Sequence, residues 1–205
     1  MSTPRSDVAA AFWRAAVQLT LLFAVVFYGV DAITAARAAK VRLVLDFEAA
    51  IPYWPAAFPV YFSVIGMPFL VRAFAPDAET VRRWSLAMGV AVVAAAVVYL
   101  LLPAQIGYPP ADAGPWTPLA RLASWIAGRH NLLPSLHVAL TLITVLAVWP
   151  HAGTGARRAI VLWTVALVGS TLVTHQHHVL DLLAGAVLGV LASRARAARP
   201  RGLVA

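Results

Sequence analysis

Three of the chain's six histidines lie in one short segment with an acidic residue: His175, His177, His178 and Asp181. His177 and Asp181 are four residues apart, which on a helix places them one turn from each other on the same face. A carboxylate in that position accepts a hydrogen bond from one imidazole nitrogen and leaves the other nitrogen available as a nucleophile or a base. The spacing indicates an activated histidine, and its alternative is a buried His-Asp pair that is only a satisfied polar contact.

A further histidine stands at the beginning of another apolar segment. Residues 131–137 read Asn-Leu-Leu-Pro-Ser-Leu-His, and because Pro134 suits the first turn of a helix, His137 is predicted to lie in that turn. An ionisable side chain at membrane depth usually has a function, which is the first interpretation of His137. The alternative interpretation is that His137 lies at the membrane interface without a catalytic role. Where two helices begin side by side, their positive ends bind anions, phosphate above all. We therefore expect His137 and the histidine segment to meet at an anion site.

The remainder of the chain has the composition of a membrane protein. Of its 205 residues, 61% are hydrophobic and 12% charged, with a mean hydropathy of +0.80. The absence of cysteine excludes disulfides, thiolate metal sites and a cysteine nucleophile. The net charge of +8 comes from arginines at the ends of apolar segments, so we do not expect a nucleic acid as partner.

The apolar runs predict an all-α, polytopic integral membrane protein with a single domain over residues 1–205 and a catalytic core from its last three helices. Six transmembrane helices are predicted, at residues 13–33, 51–74, 86–102, 135–149, 159–173 and 178–193. Prolines in the first half of the second helix predict an irregular or kinked start. In the sixth helix, Gly185 and Gly189 are spaced as Gly-x-x-x-Gly, which permits close approach of another helix.

Two of the segments that connect the predicted helices are long. The stretch 35–50 mixes charged and apolar residues and is predicted to lie on the membrane surface. The loop 103–133 is rich in proline and glycine, with a short helix predicted at 119–126, and long ordered loops are often functional.

The distribution of positive charge predicts the orientation. With the N-terminus inside, the inner segments hold 11 Lys and Arg residues and the outer segments hold 5. The positive-inside rule then predicts a cell-membrane protein with both termini in the cytoplasm. The long loop, the start of the fourth helix and the histidine segment are expected together on the outer side.

Two motifs resemble those of the type 2 phosphatidic acid phosphatase superfamily. Pro134-Ser135-Leu136-His137 is similar to its second motif, Pro-Ser-Gly-His. Ser170-Thr171, five residues, His177, three residues and Asp181 are similar to its third motif, Ser-Arg, five residues, His, three residues, Asp. Leu in place of Gly and Thr in place of Arg look most like the branch that contains the inositol phosphorylceramide synthases, as does the stretch 51–61. The resemblance covers mainly residues 103–193.

The resemblance implies a lipid phosphatase or phosphotransferase that works through a phosphohistidine without a metal or another cofactor. It implies His177 as nucleophile, Asp181 as the residue that orients it, and His137 as the acid that protonates the leaving oxygen. Ser135 would help to bind phosphate. The superfamily's first motif, Lys, six residues, Arg-Pro, is absent from the chain. Arg129, and after it Arg121, are therefore the candidates for holding the phosphate.

Several alternatives remain open. The same site could transfer the phosphoryl group to an alcohol such as inositol, as in an inositol phosphorylceramide synthase. The missing motif arginines leave room for a catalytically inactive structural or transport homologue. A metal or haem site could use the histidine segment, but on a helix His175 and His178 share one face while His177 and Asp181 share another, so these four side chains are not expected to converge. The expected partners are a lipid phosphate and membrane lipids, and the oligomeric state is not indicated.

Overall fold

A computed structural model describes residues 5–128 and 130–197, and over that part of the chain it is helical without a β-strand. This confirms the all-α prediction. The helices in chain order are α1 Arg5–Phe23, which continues through a π-helical turn Ala24–Tyr28 into α2 Gly29–Ala35, then α3 Phe58–Phe62, α4 Phe69–Phe74, α5 Ala78–Leu101, α6 Thr117–Ile126, α7 Leu136–Val148, α8 Thr154–Val173 and α9 Val179–Ala197.

Three helices in the described part are long and apolar enough to cross a membrane, namely Arg5–Ala35, Ala78–Leu101 and Thr154–Val173. Two further apolar helical stretches, Pro55–Gly66 and Leu136–His151, are shorter. At 1.5 Å per residue the 13 residues of α7 extend about 20 Å, against a hydrocarbon core of about 30 Å. That six helices cross a membrane stays a prediction.

The long helices carry large apolar side chains on the outer surface of the protein. Val25 of the π-helical turn is 73% exposed, Leu101 of α5 is 77% exposed and Leu162 of α8 is 71% exposed. Many contiguous apolar side chains on a surface mark contact with another apolar phase. The exterior thus suits the acyl chains of a bilayer.

The segment 51–74, predicted as one helix with an irregular start, is broken throughout. It forms α3, a 3-10 turn Ser63–Gly66 and α4, because Pro59 and Pro68 cannot donate the hydrogen bonds that would continue a helix. The stretch before it has a 3-10 turn, Asp46–Ala50, and pairs with the long loop at Val41. The Val41 N–H donates to the Pro103 carbonyl oxygen, and the Val41 carbonyl oxygen accepts from Gln105, both at 2.9 Å.

Helices α7 and α9 pack together closely along the glycines of the predicted Gly-x-x-x-Gly pair. A methyl group at Gly185 would overlap the carbonyl oxygen of Ser135, and one at Gly189 would lie 2.8 Å from the carbonyl oxygen of Ala139. Backbone approaches backbone here, so a side chain has no room. This contact brings the N-terminal ends of α7 and α9 side by side, as the sequence predicted.

Gly185→Ala is expected to destabilise the protein by about 1–3 kcal/mol, because the added methyl forces α7 and α9 apart. Thermal unfolding in detergent measures the change. The matched control is Gly169→Ala in α8, where an added methyl meets no atom within 4 Å. Since alanine favours a helix over glycine, that variant should unfold at the wild-type temperature or above it. Equal destabilisation by both variants would contradict the close contact.

Candidate functional site

A tight turn between α8 and α9 positions the histidine segment. The backbone N–H groups of Gln176 and His177 both donate to the carbonyl oxygen of Thr171, at 3.0 and 3.1 Å. His175 adopts a left-handed φ of 56°, which is uncommon for a residue other than glycine. His177 consequently lies just before α9 instead of on it, and Asp181 lies in the first turn of α9. The sixth helix, predicted to begin at residue 178, thus begins at Val179, and His177 reaches Asp181 from the turn before it.

His177 and Asp181 nevertheless lie next to each other. His177 Nδ1 is 3.5 Å from Asp181 Oδ2, and the two side chains are 6% and 1% exposed. Asp181 Oδ2 accepts a hydrogen bond of 2.9 Å from the backbone N–H of His178. Within the described residues, His177 Nδ1 and Asp181 Oδ1 are buried without a hydrogen-bond partner. Buried polar atoms left in this state are rare in folded proteins and occur at catalytic sites.

His137 lies in the first turn of α7 and faces His177. The two ring centroids are 5.6 Å apart at an interplanar angle of 64°. On its other side the His137 ring stacks on Tyr61 of α3, with 4.4 Å between the centroids. The structure thus brings together two histidines that are separated by about forty residues in the sequence.

His137 and His177 line the same cavity, which has a volume of about 210 Å³. Its walls are mainly apolar and come from α1, the π-helical turn, α3, the 3-10 turn Ser63–Gly66, α5, α6, α7 and the residues just before α7. The aromatic members are Phe23, Phe27, Tyr61, Phe62 and Tyr99. The chemistry available here is that of two imidazoles and a carboxylate in an apolar environment.

Ser135 does not line this cavity. It is fully buried and caps α7, since its Oγ accepts from the backbone N–H of Val138 at 3.5 Å. Its own backbone N–H donates to the carbonyl oxygen of Asp181 at 2.9 Å, which ties the start of α7 to the start of α9. The side chains of Ser170 and Thr171 are also turned inward, and each hydroxyl donates to a carbonyl oxygen of α8.

Of the two arginines predicted to hold phosphate, the structure describes only Arg121, and it lines a different cavity. Arg121 is exposed and lines a second, larger cavity of about 1110 Å³ beside Thr174, His175 and Gln176. Arg129 lies outside the described residues. Within the described part of the chain, neither Arg nor Lys lines the cavity of His137 and His177.

Glu48 is a site residue that the sequence did not reveal. It is fully buried, and its carboxylate accepts from the backbone N–H of Val179 at 3.1 Å, from the hydroxyl of Tyr108 at 3.3 Å and from His178 Nδ1. Burial, followed by the charge of Glu48, raises the pKa of Tyr108, so this phenol keeps its proton and remains a donor. No local pattern marks Glu48, because it stands among exposed residues of the stretch 35–50.

The carboxylates change the expectation for the start of α9. We expected its positive end to bind an anion, but the N–H groups of His178 and Val179 already donate to Asp181 and Glu48. These carboxylates weaken this helix end as an anion site, because they take two of its N–H groups and add negative charge beside it.

His175 and His178 are engaged by Tyr108 of the long loop. The Tyr108 ring lies between them, with centroid distances of 3.9 Å to His175 and 4.4 Å to His178. His175 Nε2 is 3.0 Å from the carbonyl oxygen of Ile51, and burial lowers the pKa of this histidine, which favours its neutral form. Over residues 5–128 and 130–197, no three His, Asp or Glu side chains are grouped so that they could hold a metal ion.

Fold and site together define an all-helical protein with helices of membrane-spanning length and a buried histidine-aspartate site at an apolar cavity. Comparison of the chain with protein-family models, curated proteins and solved structures gives no match. The resemblance to the type 2 phosphatidic acid phosphatase superfamily therefore stays a prediction from the two motifs.

Proposed function

We propose that the protein is an integral-membrane phosphatase or phosphotransferase that acts on a lipid phosphate through a phosphohistidine at His177. The observation that carries the proposal is the convergence of His137, His177 and Asp181 at one wall of an apolar cavity. Of the three histidines in the turn before α9, His177 is the one that lines this cavity. A nucleophile, an orienting carboxylate and a second imidazole for proton transfer are the groups that this chemistry requires.

In the first half-reaction, neutral His177 attacks the phosphorus atom with its ring nitrogen Nε2. A nitrogen-phosphorus bond forms while the bond between phosphorus and the lipid oxygen breaks. His137, in its protonated form, donates a proton to the departing oxygen. The Asp181 carboxylate, with Oδ2 at 3.5 Å from Nδ1 of His177, stabilises the positive charge that develops on the ring.

In the second half-reaction, water or an alcohol attacks the phosphohistidine. His137, now neutral, accepts the proton of the attacking hydroxyl group. The nitrogen-phosphorus bond breaks, the phosphoryl group leaves on the attacking oxygen, and both histidines return to their starting states. Water gives free phosphate, whereas an alcohol gives a new phosphate ester, so the acceptor decides between phosphatase and transferase.

The walls of the cavity favour a lipid as substrate. Aromatic and aliphatic side chains line the cavity together with His137, and one of them, Ile65, is 65% exposed on the outer surface. Apolar surface of this kind binds acyl chains, whereas a small hydrophilic phosphate ester gains nothing from it.

Arg129 is the first candidate to balance the charge of the phosphate. Asn131, two residues later, lines the cavity, and its side-chain amide donates to the carbonyl oxygen of Phe27 at 2.8 Å. This hydrogen bond fixes the segment near His137. Arg121 is the second candidate, because its cavity is also lined by His175 and Gln176, which immediately precede His177. An arginine matches phosphate with two parallel hydrogen bonds.

The proposal includes six transmembrane helices, both termini in the cytoplasm and the site on the outer side. It rests on the distribution of Lys and Arg and on the apolar outer surface. Because the chain contains no cysteine, single cysteines at exposed Ala111 and Gly155 report topology directly. A membrane-impermeant maleimide added to intact cells should label Ala111→Cys and leave Gly155→Cys unlabelled until the cells are opened. Labelling of both from the same side would contradict the orientation.

Release of inorganic phosphate tests the function. Detergent-solubilised protein is incubated with a panel of lipid phosphates and with a water-soluble phosphate monoester, each with and without a chelator. We expect release from at least one lipid phosphate, little from the soluble ester and no effect of the chelator. Loss of activity on chelation, or preference for the soluble ester, would contradict the mechanism.

A further inference from the structure

The hydrogen bonds around His178 determine which ring nitrogen carries its proton. The backbone N–H of Gly107 donates to His178 Nε2 at 2.9 Å, so this nitrogen has a free lone pair and bears no hydrogen. The proton of the ring is consequently on Nδ1, from which it is donated to Glu48. Loop 103–133 therefore fixes one edge of the ring and Glu48 fixes the other.

Glu48 also holds the backbone of α9. Its second oxygen accepts from the N–H of Val179, the first residue of the helix. One buried carboxylate thus fixes the ring of residue 178 and the backbone of residue 179. His178 in turn donates its backbone N–H to Asp181, the residue beside His177.

His177 is bracketed by these contacts. Its own N–H donates to Thr171 on the side of α8, and the residue that follows it is held by Glu48 and Asp181. With the backbone fixed on both sides, the Cα–Cβ bond of His177 has a fixed direction, and the contacts of the ring with His137 and Asp181 complete its placement. Both ring nitrogens of His178 have partners, whereas His177 lines the cavity and its Nδ1, beside Asp181, has no hydrogen-bond partner within the described residues.

We propose that Glu48 is a positioning residue for His177: by holding His178 and the first turn of α9, it keeps the His177 ring beside Asp181 and directed into the cavity. The inference rests on the proposed role of His177 as nucleophile. The segment that carries Glu48 is itself anchored, because Val41 pairs with the long loop and the N–H of Trp54 donates to the Val173 carbonyl oxygen at 2.7 Å. An anchored support of this kind is what holds reacting groups in place.

Glu48→Gln is the sharpest variant, since it keeps the size of the side chain and removes one of its two acceptor atoms. The amide NH2 must then face either the N–H of Val179 or the protonated Nδ1 of His178, and neither can accept from it. The matched control is Asp46→Asn, which removes a carboxylate from the same 3-10 turn, Asp46–Ala50, at an exposed position.

In protein labelled with ¹⁵N-histidine, the nuclear magnetic resonance signals of the ring nitrogens report which nitrogen carries the proton and how its surroundings change. This measurement does not depend on activity. We expect wild-type His178 to carry its proton on Nδ1, and Glu48→Gln to shift the ring signals of both His178 and His177. In the phosphate-release assay, Glu48→Gln should lower kcat by about a hundredfold with KM changed by less than about twofold. Asp46→Asn should leave the signals and both constants unchanged.

Tyr108→Phe serves as a milder variant if Glu48→Gln fails to fold, because it removes one donor to Glu48 and keeps the ring between the histidines. It should shift the same signals by a smaller amount. A wild-type His178 with its proton on Nε2, or His177 signals that do not move in either variant, overturns the proposal. If His177 responds as expected while the wild-type protein forms a phosphoenzyme with no lipid phosphate, the positioning role is supported and the proposed function is refuted.

Discussion

His177→Ala is expected to abolish both the formation of a phosphoenzyme and the release of phosphate. Without the ring, the cavity keeps His137 and Asp181 but has no nitrogen that can bond to phosphorus. Loss of a nucleophile in covalent catalysis typically lowers kcat by about 10⁶. The side chain is 6% exposed and already lines the cavity, so its removal enlarges an existing space.

The measurement uses a lipid phosphate with a radiolabelled phosphoryl group and an acid-free quench. Wild-type protein should retain label that is stable to base and lost in acid, the behaviour of a phosphorus-nitrogen bond, and His177→Ala should retain none. His151→Ala is the control, because His151 is exposed at the opposite end of α7 and should label as the wild type does. Substantial turnover by His177→Ala would show that another group is the nucleophile.

Asp181→Asn is expected to lower kcat by about 10⁴ while the fold is retained, by analogy with triads in which a carboxylate orients the histidine. The asparagine oxygen can still accept from the backbone N–H of His178, so the start of α9 remains capped. What changes is the partner of His177 Nδ1, because an amide can present a donor where the carboxylate offers only acceptors. The wrong tautomer of His177 is then favoured, and Nε2 carries the proton.

Single-turnover kinetics separate this effect from a loss of binding. Asp181→Asn should slow the appearance of the phosphoenzyme with little change in the substrate concentration that saturates it. The melting temperature should stay near that of Asp7→Asn, a control at an exposed position in the first turn of α1. A variant with wild-type rates would mean that Asp181 only caps α9.

Helices were predicted well where local patterns decide the structure. The apolar run 86–102 matches the later part of α5, which ends one residue earlier, at Leu101. The helix begins at Ala78, because the carboxylate of Asp77 accepts from the Thr80 N–H at 2.7 Å and caps it. The short helix predicted at 119–126 lies within α6. The segment 51–74 was predicted less well, since its prolines divide it into short pieces that only tertiary packing can hold.

The residues of the site could be predicted from the sequence, but the hydrogen bonds that hold them could not. The spacing of His177 and Asp181 indicated that they would lie together, and the structure places them 3.5 Å apart. Glu48 could not be found, because its partner His178 is 130 residues away in the chain and the exposed residues around Glu48 give no sign of burial. The tight turn before α9 was also missed, since it depends on Thr171 accepting from two N–H groups at once.

The short α7 has a consequence for how substrate arrives. Under the proposed topology, this helix of about 20 Å in a hydrocarbon core of about 30 Å leaves His137 recessed from the interface, and the cavity beside it is lined by apolar side chains of α3 and the π-helical turn. Under the proposed function, a lipid enters sideways by two-dimensional diffusion within its own leaflet. The concentration that governs turnover is then the mole fraction of substrate among the surrounding lipids, and diluting it with inert lipid slows the enzyme even when the amount per volume of water is constant.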